Sequence, residues 1–129
     1  MKTPTELKYS HNHEWVRIEG NRARVGITDY AQSQLGDVVF VELPEADNMI
    51  AVGAGFSVVE SVKAVSDVYA PIGGVIVSVN EALSDTPELM NEDPYGEGWL
   101  VVIEIAHQED LEALLNSDEY EKMIAEGGH

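Results

Sequence analysis

Lys63 is the one lysine or arginine between Arg24 and Lys122, and it interrupts the stretch Val58-Val59-Glu60-Ser61-Val62-Lys63-Ala64-Val65-Ser66-Asp67-Val68-Tyr69-Ala70-Pro71. A lysine amine offers three kinds of chemistry: Schiff-base formation, general-base catalysis, or acceptance of an acyl group. The first two require a depressed pKa, which comes from burial or a second cation. The neighbours here are acids, Glu60 and Asp67, and they favour the charged form. Acylation asks less: a modifying enzyme brings its own activation, and the lysine need only be presented. The competing reading is an ordinary solvated lysine at a turn.

The remaining candidates are weaker. His11 and His13 lie two apart, on one face if the backbone there is extended, with Glu14 beside them. They lack a third matched ligand, so two surface histidines are the stronger reading and no metal is expected. Ser61 and Ser66 flank Lys63, but neither lies in a Gly-x-Ser-x-Gly turn. Gly53-Ala54-Gly55 lacks the following helix and the further glycine of a dinucleotide fingerprint. The acids between Asn80 and Gly98 read as a solvated face, and Trp15 and Trp99 as packing residues. There is no cysteine, which excludes disulfides and thiolate metal sites. Any redox sulfur must come with a cofactor.

The elements that must position Lys63 follow from periodicity. Apolar and polar residues roughly alternate on both sides of it, which predicts two strands with the lysine at or beside a hairpin tip. Before them, Trp15 to Ile18 and Arg22 to Ile27 alternate around the turn Glu19-Gly20-Asn21. Thr28 is the expected N-cap of a short helix with Asp29 in its first turn, and Gly36 stops it. Asp37 to Leu43 is a β-branched strand ended by Pro44, and Glu45 to Gly55 a connector. Pro71-Ile72-Gly73-Gly74 is a turn before a strand over Val75 to Val79. Asn80 to Gly98 is long for a connection, so hidden local structure is expected, with a helical turn at Pro87-Glu88-Leu89-Met90-Asn91. Trp99 to Ile105 is the last strand. Leu111, Leu114 and Leu115 then take i, i+3, i+4 spacing and predict an amphipathic helix. Asn116 and Glu119 predict a capping box opening a second helix, ended by Gly127-Gly128. The pattern is an antiparallel sandwich or barrel with helices outside.

The chain has 129 residues and a formal net charge of −17, with 44% hydrophobic residues. That length suits one domain with a modest core. The acidity argues against nucleic acid and anionic membrane surfaces. It favours transient docking on basic patches of proteins. No apolar signal segment opens the chain, and its longest apolar runs are too short to span a bilayer.

Glu60-Ser61-Val62-Lys63-Ala64, followed by Ser66-Asp67-Val68-Tyr69-Ala70-Pro71, closely resembles the lipoyl-attachment hairpin of the H proteins of the glycine cleavage system. The resemblance covers most of the chain. It includes His13-Glu14-Trp15-Val16, Val25-Gly26-Ile27-Thr28-Asp29 and the run from Leu35-Gly36-Asp37 to Leu43-Pro44. It continues through Asn80-Glu81-Ala82-Leu83, Pro87-Glu88-Leu89 and Asn91-Glu92-Asp93-Pro94-Tyr95-Gly96, into Gly98-Trp99.

The resemblance implies a mainly β barrel-sandwich hybrid of the lipoyl/biotinyl-like hammerhead type, one lipoyl-carrier domain over residues 1–129. It has a short helix after the first hairpin and two C-terminal helices. The resemblance also implies lipoic acid in amide linkage on Lys63, placed there by a lipoate-attaching enzyme. The implied role is a non-catalytic, monomeric, cytoplasmic carrier of bacterial type, or a mature mitochondrial one. It takes an aminomethyl group from a pyridoxal-phosphate-dependent glycine decarboxylase to a tetrahydrofolate-dependent aminomethyltransferase. A flavin (FAD) dihydrolipoamide dehydrogenase then reoxidises it. Asn12, Glu14, Gln34 and Asp67 correspond to positions lining a cleft for the loaded arm. Some members carry histidine where this chain has Gln34, so no imidazole role is carried over, and Glu14 and Asp67 could equally be ordinary solvated carboxylates. Biotin carriers usually place methionine on both sides of the lysine, whereas Val62 and Ala64 stand here. A lipoyl domain of a 2-oxo-acid dehydrogenase and a binding module with no cofactor also compete with the carrier reading.

Overall fold

A computed structural model describes residues 2–127 of the chain. The structure is two antiparallel sheets facing each other, with short helices at their margins. One sheet has six strands: β1 (Lys8–Tyr9), β2 (Glu14–Glu19), β3 (Arg22–Ile27), β5 (Met49–Ile50), β8 (Gly74–Val79) and β9 (Val101–Ile105). They lie in the order β1-β2-β3-β9-β8-β5. The other sheet has β4 (Val38–Glu42), β6 (Gly55–Ser61) and β7 (Val65–Tyr69), with β6 in the middle. Neither closes on itself, which is the barrel-sandwich arrangement expected.

The inward rows are the β-branched ones. Val16, Val25, Ile76 and Ile103 from the large sheet meet Val41, Val59 and Val68 from the small one in a single buried cluster. A second cluster, Leu7, Tyr9, Trp15 and Tyr120, lies on the other side of the large sheet, under the C-terminal helix. Trp15 reaches the late loop by donating from Nε1 to the Pro94 carbonyl at 2.9 Å.

The helices divide into expected and unexpected ones. α1 (Asp29–Leu35) opens at Thr28, whose hydroxyl accepts from Ala31 N–H, and ends at Gly36 with φ +81°. Two single turns, α2 (Ala82–Asp85) and α3 (Leu89–Glu92), fill the long connection after β8 and bury Leu83 and Met90. α4 (Ser117–Ala125) begins with the Asn116–Glu119 capping box, both halves formed. Gly128 of the expected stop lies outside the described residues.

The expected amphipathic helix on Leu111, Leu114 and Leu115 is corrected. Gln108–Ala113 is a 3-10 helix, and Leu114 is already extended. Leu115 pairs with Tyr9 through two backbone hydrogen bonds of 2.7 and 2.8 Å. Leu111 and Leu114 pack against the cluster between the sheets and Leu115 against the second one, so the leucine spacing does not mark one helical face.

Candidate functional site

Lys63 occupies the turn between β6 and β7, and its side chain is exposed. Ser61 builds that turn. Its hydroxyl accepts from the N–H groups of Lys63 and Ala64, at 3.3 and 3.0 Å, and its own N–H donates to the Ala64 carbonyl at 2.8 Å. The serine beside the lysine is thus a turn former and not a nucleophile. Val62 N–H donates to the Asp37 carbonyl at 3.0 Å, which ties the tip to the corner between α1 and β4. Among the described residues Lys63 enters no ion pair. Among the described residues the turn is held by backbone groups and the Ser61 hydroxyl, with no hydrogen bond or ion pair from the Lys63 amine. An acyl group on Lys63 fits this arrangement without disturbing any hydrogen bond.

The corner beneath the lysine is rigidly held. Asn91 in α3 donates to the Gln32 side chain and to the Gly36 carbonyl, both at 2.9 Å, and accepts from Val38 N–H at 2.8 Å. One amide from the late loop therefore fixes the end of α1 and the start of β4.

Beside that corner is a cavity of about 310 Å³ between the entry to β2, α1, and the strands β6 and β7. Asn12, Glu14, Gln34 and Asp67 all line it, together with His13 and Tyr30. They come from three separate stretches of sequence, which the fold gathers. Tyr30, Ala31, Gln34 and Leu35 form its α1 wall, and Lys63 lies against the next residue, Gly36.

Glu14 is not a solvated carboxylate. It is 2% exposed. Ser10 donates to Oε1 at 2.5 Å and Tyr69 N–H to Oε2 at 3.3 Å. Burial pushes its pKa up from 4.5 to about 7; the two hydrogen bonds pull the other way without cancelling it. Asp67, Asn12 and Gln34 are exposed.

His11 and His13 do not share a strand face. Ser10 caps a turn here, its hydroxyl accepting from Asn12 and Glu14 N–H at 3.2 and 3.1 Å. His13 takes φ +71°, its ring packs on Tyr30 at 4.9 Å, and Nδ1 lies 2.7 Å from the Tyr120 hydroxyl. Tyr120 also bonds Thr28 Oγ1 at 2.7 Å, so α4 reaches under the cavity to both its β2 and α1 sides. Among the described residues no three His, Cys, Asp or Glu side chains gather as a metal site.

A family model described as "Glycine cleavage H-protein" matches residues 7–127. The chain belongs to the glycine cleavage H-protein family. It is 54% identical over 127 residues to a glycine cleavage system H protein of Geobacillus sp. (strain WCH70), covering 98% of this chain and 100% of that one. It is 51% identical over 125 residues to that of Carboxydothermus hydrogenoformans, covering 97% and 96%. The crystal structure of a glycine cleavage system H protein from Mycobacterium marinum superposes with a TM-score of 0.87 at 40% identity, over 95% of this chain and 98% of that one.

His13, Tyr30, Gly36 and Asn91 were not singled out for the site by sequence reasoning. Gly36 carried a signal, as a helix stop. Asn91 carried none beyond its place in a matched block.

Proposed function

We propose that the chain is the non-catalytic lipoyl carrier of a glycine cleavage system, one carrier domain with its arm in amide linkage on Lys63. A lipoyl group supplies a disulfide that opens to accept an aminomethyl group and closes again on reoxidation. The chain's own residues present and shelter that group. The Ser61 turn projects the amine, and the Gly36 corner fixes where the arm starts. The cavity lined by Asn12, Glu14, Gln34 and Asp67 offers two carboxyl groups to a cationic amine. Its partners in this reading are the glycine decarboxylase, the aminomethyltransferase and the dihydrolipoamide dehydrogenase, met in turn in a bacterial cytoplasm.

The observation that carries the reading is an exposed lysine, free of ion pairs among the described residues, on a hairpin tip of a family member. Intact-mass analysis of protein from cells supplied with lipoate tests it. The expected result is one lipoyl group on the wild-type chain and none on Lys63→Arg, which folds but supports no glycine cleavage. Biotin on Lys63, or lipoate on Lys2, Lys8 or Lys122, overturns it.

A further inference from the structure

Tyr120 is fully buried in α4 and stacks on Tyr9, with ring centroids 4.7 Å apart and planes 10° from parallel. Packing alone accounts for its ring. It does not account for its hydroxyl, which lies 2.7 Å from His13 Nδ1 and 2.7 Å from Thr28 Oγ1. His13 belongs to the cavity wall, beside Glu14. Thr28 caps α1, and its hydroxyl also accepts from Ala31 N–H at 3.1 Å. The three side chains form one hydrogen-bonded chain that ends on the imidazole.

Counting protons gives that chain a direction. A phenol and a threonine hydroxyl each have one proton to donate. Burial pushes the pKa of the Tyr120 hydroxyl up, so it keeps that proton. If Thr28 donates to Tyr120 and Tyr120 donates to His13 Nδ1, each proton has an acceptor. Thr28 Oγ1 still accepts from Ala31. In the opposite direction His13 Nδ1–H donates to Tyr120, and Tyr120 donates to Thr28. The Thr28 proton is then left over, because among the described residues that hydroxyl bonds only Tyr120 and Ala31. Thr28 is fully buried, so bulk water does not replace the missing acceptor. An unmet buried donor is costly. The first direction therefore stands, and Nδ1 accepts. An imidazole that accepts at Nδ1 is neutral and carries its proton on Nε2.

The charge of this ring matters to the cavity. The ionisable groups that line it are His13 and Glu14 from the entry to β2, Tyr30 from α1 and Asp67 from β7, with Tyr120 against His13. An imidazolium here would be a counterion for Glu14 and Asp67. It would compete with an incoming cation and repel it. A neutral ring leaves both carboxyl groups to the newcomer.

We propose that Tyr120 and Thr28 hold His13 as the neutral Nε2–H tautomer, which reserves Glu14 and Asp67 for the amine of the loaded arm. Tyr120 and Thr28 are positioning residues in this scheme, since they act on the arm through His13. The tautomer rests on the hydrogen-bond geometry, and its use rests on the carrier reading above.

Nitrogen-15 NMR of the labelled full-length chain tests the tautomer, with the exposed His11 as internal reference. At about pH 7 His13 is expected to show a bare Nδ1 and a protonated Nε2, and to titrate about one pH unit below His11. Tyr120→Phe keeps the ring stack and removes the donor to Nδ1, so the His13 midpoint rises toward that of His11. Tyr9→Phe is the control. It removes a hydroxyl of the same stacked pair, bonded to the Pro4 carbonyl at 2.6 Å, without touching the chain to His13. The His13 signals stay unchanged in it.

The use of the neutral ring is read on lipoylated, aminomethylated protein as release of formaldehyde. At about pH 6.5 release is expected to be about threefold faster from Tyr120→Phe and unchanged from Tyr9→Phe. A protonated Nδ1 at neutral pH in the wild type overturns the proposal, whatever the variants do. Equal release from wild type and Tyr120→Phe overturns the role given to the neutral ring. A wild-type chain that never takes a lipoyl group overturns the carrier reading and that role with it, while the tautomer is decided by the NMR result alone.

Discussion

The stem of Lys63 rests on Gly36: a methyl group built on that glycine would lie 3.3 Å from the lysine Cε. Gly36 has φ +81° and ψ −159°, a region that is essentially closed to residues with a Cβ. One glycine therefore both ends α1 and leaves room for the lysine to lie along the corner. Gly36→Ala is expected to destabilise the fold by on the order of 1–3 kcal/mol from backbone strain. Urea unfolding reads this as a lower midpoint at unchanged slope. An unshifted midpoint would mean that the corner relaxes freely.

Asn91 holds the same corner from the other side. Asn91→Ala removes the acceptor of Val38 N–H and a donor to the Gly36 carbonyl. Val38 is buried, so its amide has little recourse to water. The expected cost is about 2 kcal/mol, seen in the same unfolding experiment, with faster hydrogen exchange at Val38. Exchange at Val38 as slow as in wild type would show that another acceptor takes over.

Encounters with partners are expected to depend on salt. The formal net charge is −17, and acylation of Lys63 takes it to about −18 by removing one cation. Raising ionic strength from roughly 0.05 to 0.5 M should lower the on-rate for the decarboxylase about tenfold, with a smaller change in off-rate. Stopped-flow binding across a salt series measures both. A flat on-rate would assign docking to apolar contact alone.

The strands flanking Lys63, the first hairpin, the Thr28 cap and the Asn116–Glu119 box were legible because each is written in neighbouring residues. Period-two alternation and a cap three residues from its target need no tertiary information. Glu14 was legible as a position but not as a chemical state. Its burial depends on Ser10 curling back over it and on Tyr69, 55 residues away, closing the other side. The same limit applies to Asn91, whose partners Gln32, Gly36 and Val38 are all on distant chain. Leu111, Leu114 and Leu115 misled for the opposite reason. Their spacing is local, but Leu115 answers to a strand at the far end of the sequence.

Glu14 should leave a mark on the pH dependence of stability. The native chain holds this proton up to about pH 7, whereas an unfolded carboxyl releases it near 4.5. Between those values the native state binds more protons, so its contribution to stability falls as pH rises through the window. Glu14→Gln keeps an amide oxygen as acceptor but does not titrate. The stability of wild type relative to Glu14→Gln should therefore decline from pH 4.5 to 7, by on the order of 3 kcal/mol. Parallel stability profiles for the two proteins would place the Glu14 proton in the unfolded range.

On the carrier reading proposed above, the same carboxyl would have a use in the cavity. With a pKa of about 7 it is poised between its two forms at neutral pH, and the arrival of a cation favours the ionised one. The loaded arm ends in an amine that is cationic when protonated, and the oxidised arm does not. Glu14 and Asp67 line one cavity, so both can accept from that amine, Glu14 from within and Asp67 from the exposed rim. On that carrier reading, charge-assisted bonds of this kind would hold the loaded arm and leave the oxidised arm mobile. Holding it would keep water from the bound carbon unit and slow its loss as formaldehyde. Glu14→Ala should leave lipoylation of Lys63 intact and shorten the lifetime of the loaded protein, by roughly tenfold if the bond is worth about 1.4 kcal/mol. Formaldehyde release from isolated, loaded protein measures this, wild type against variant. Asp67→Asn, at the rim, should have a smaller effect in the same direction, because water competes for that carboxylate. Equal release from wild type and Glu14→Ala would make Glu14 a bystander to the arm. A variant that fails to fold or to accept lipoate would show that its bonds to Ser10 and Tyr69 are its whole role.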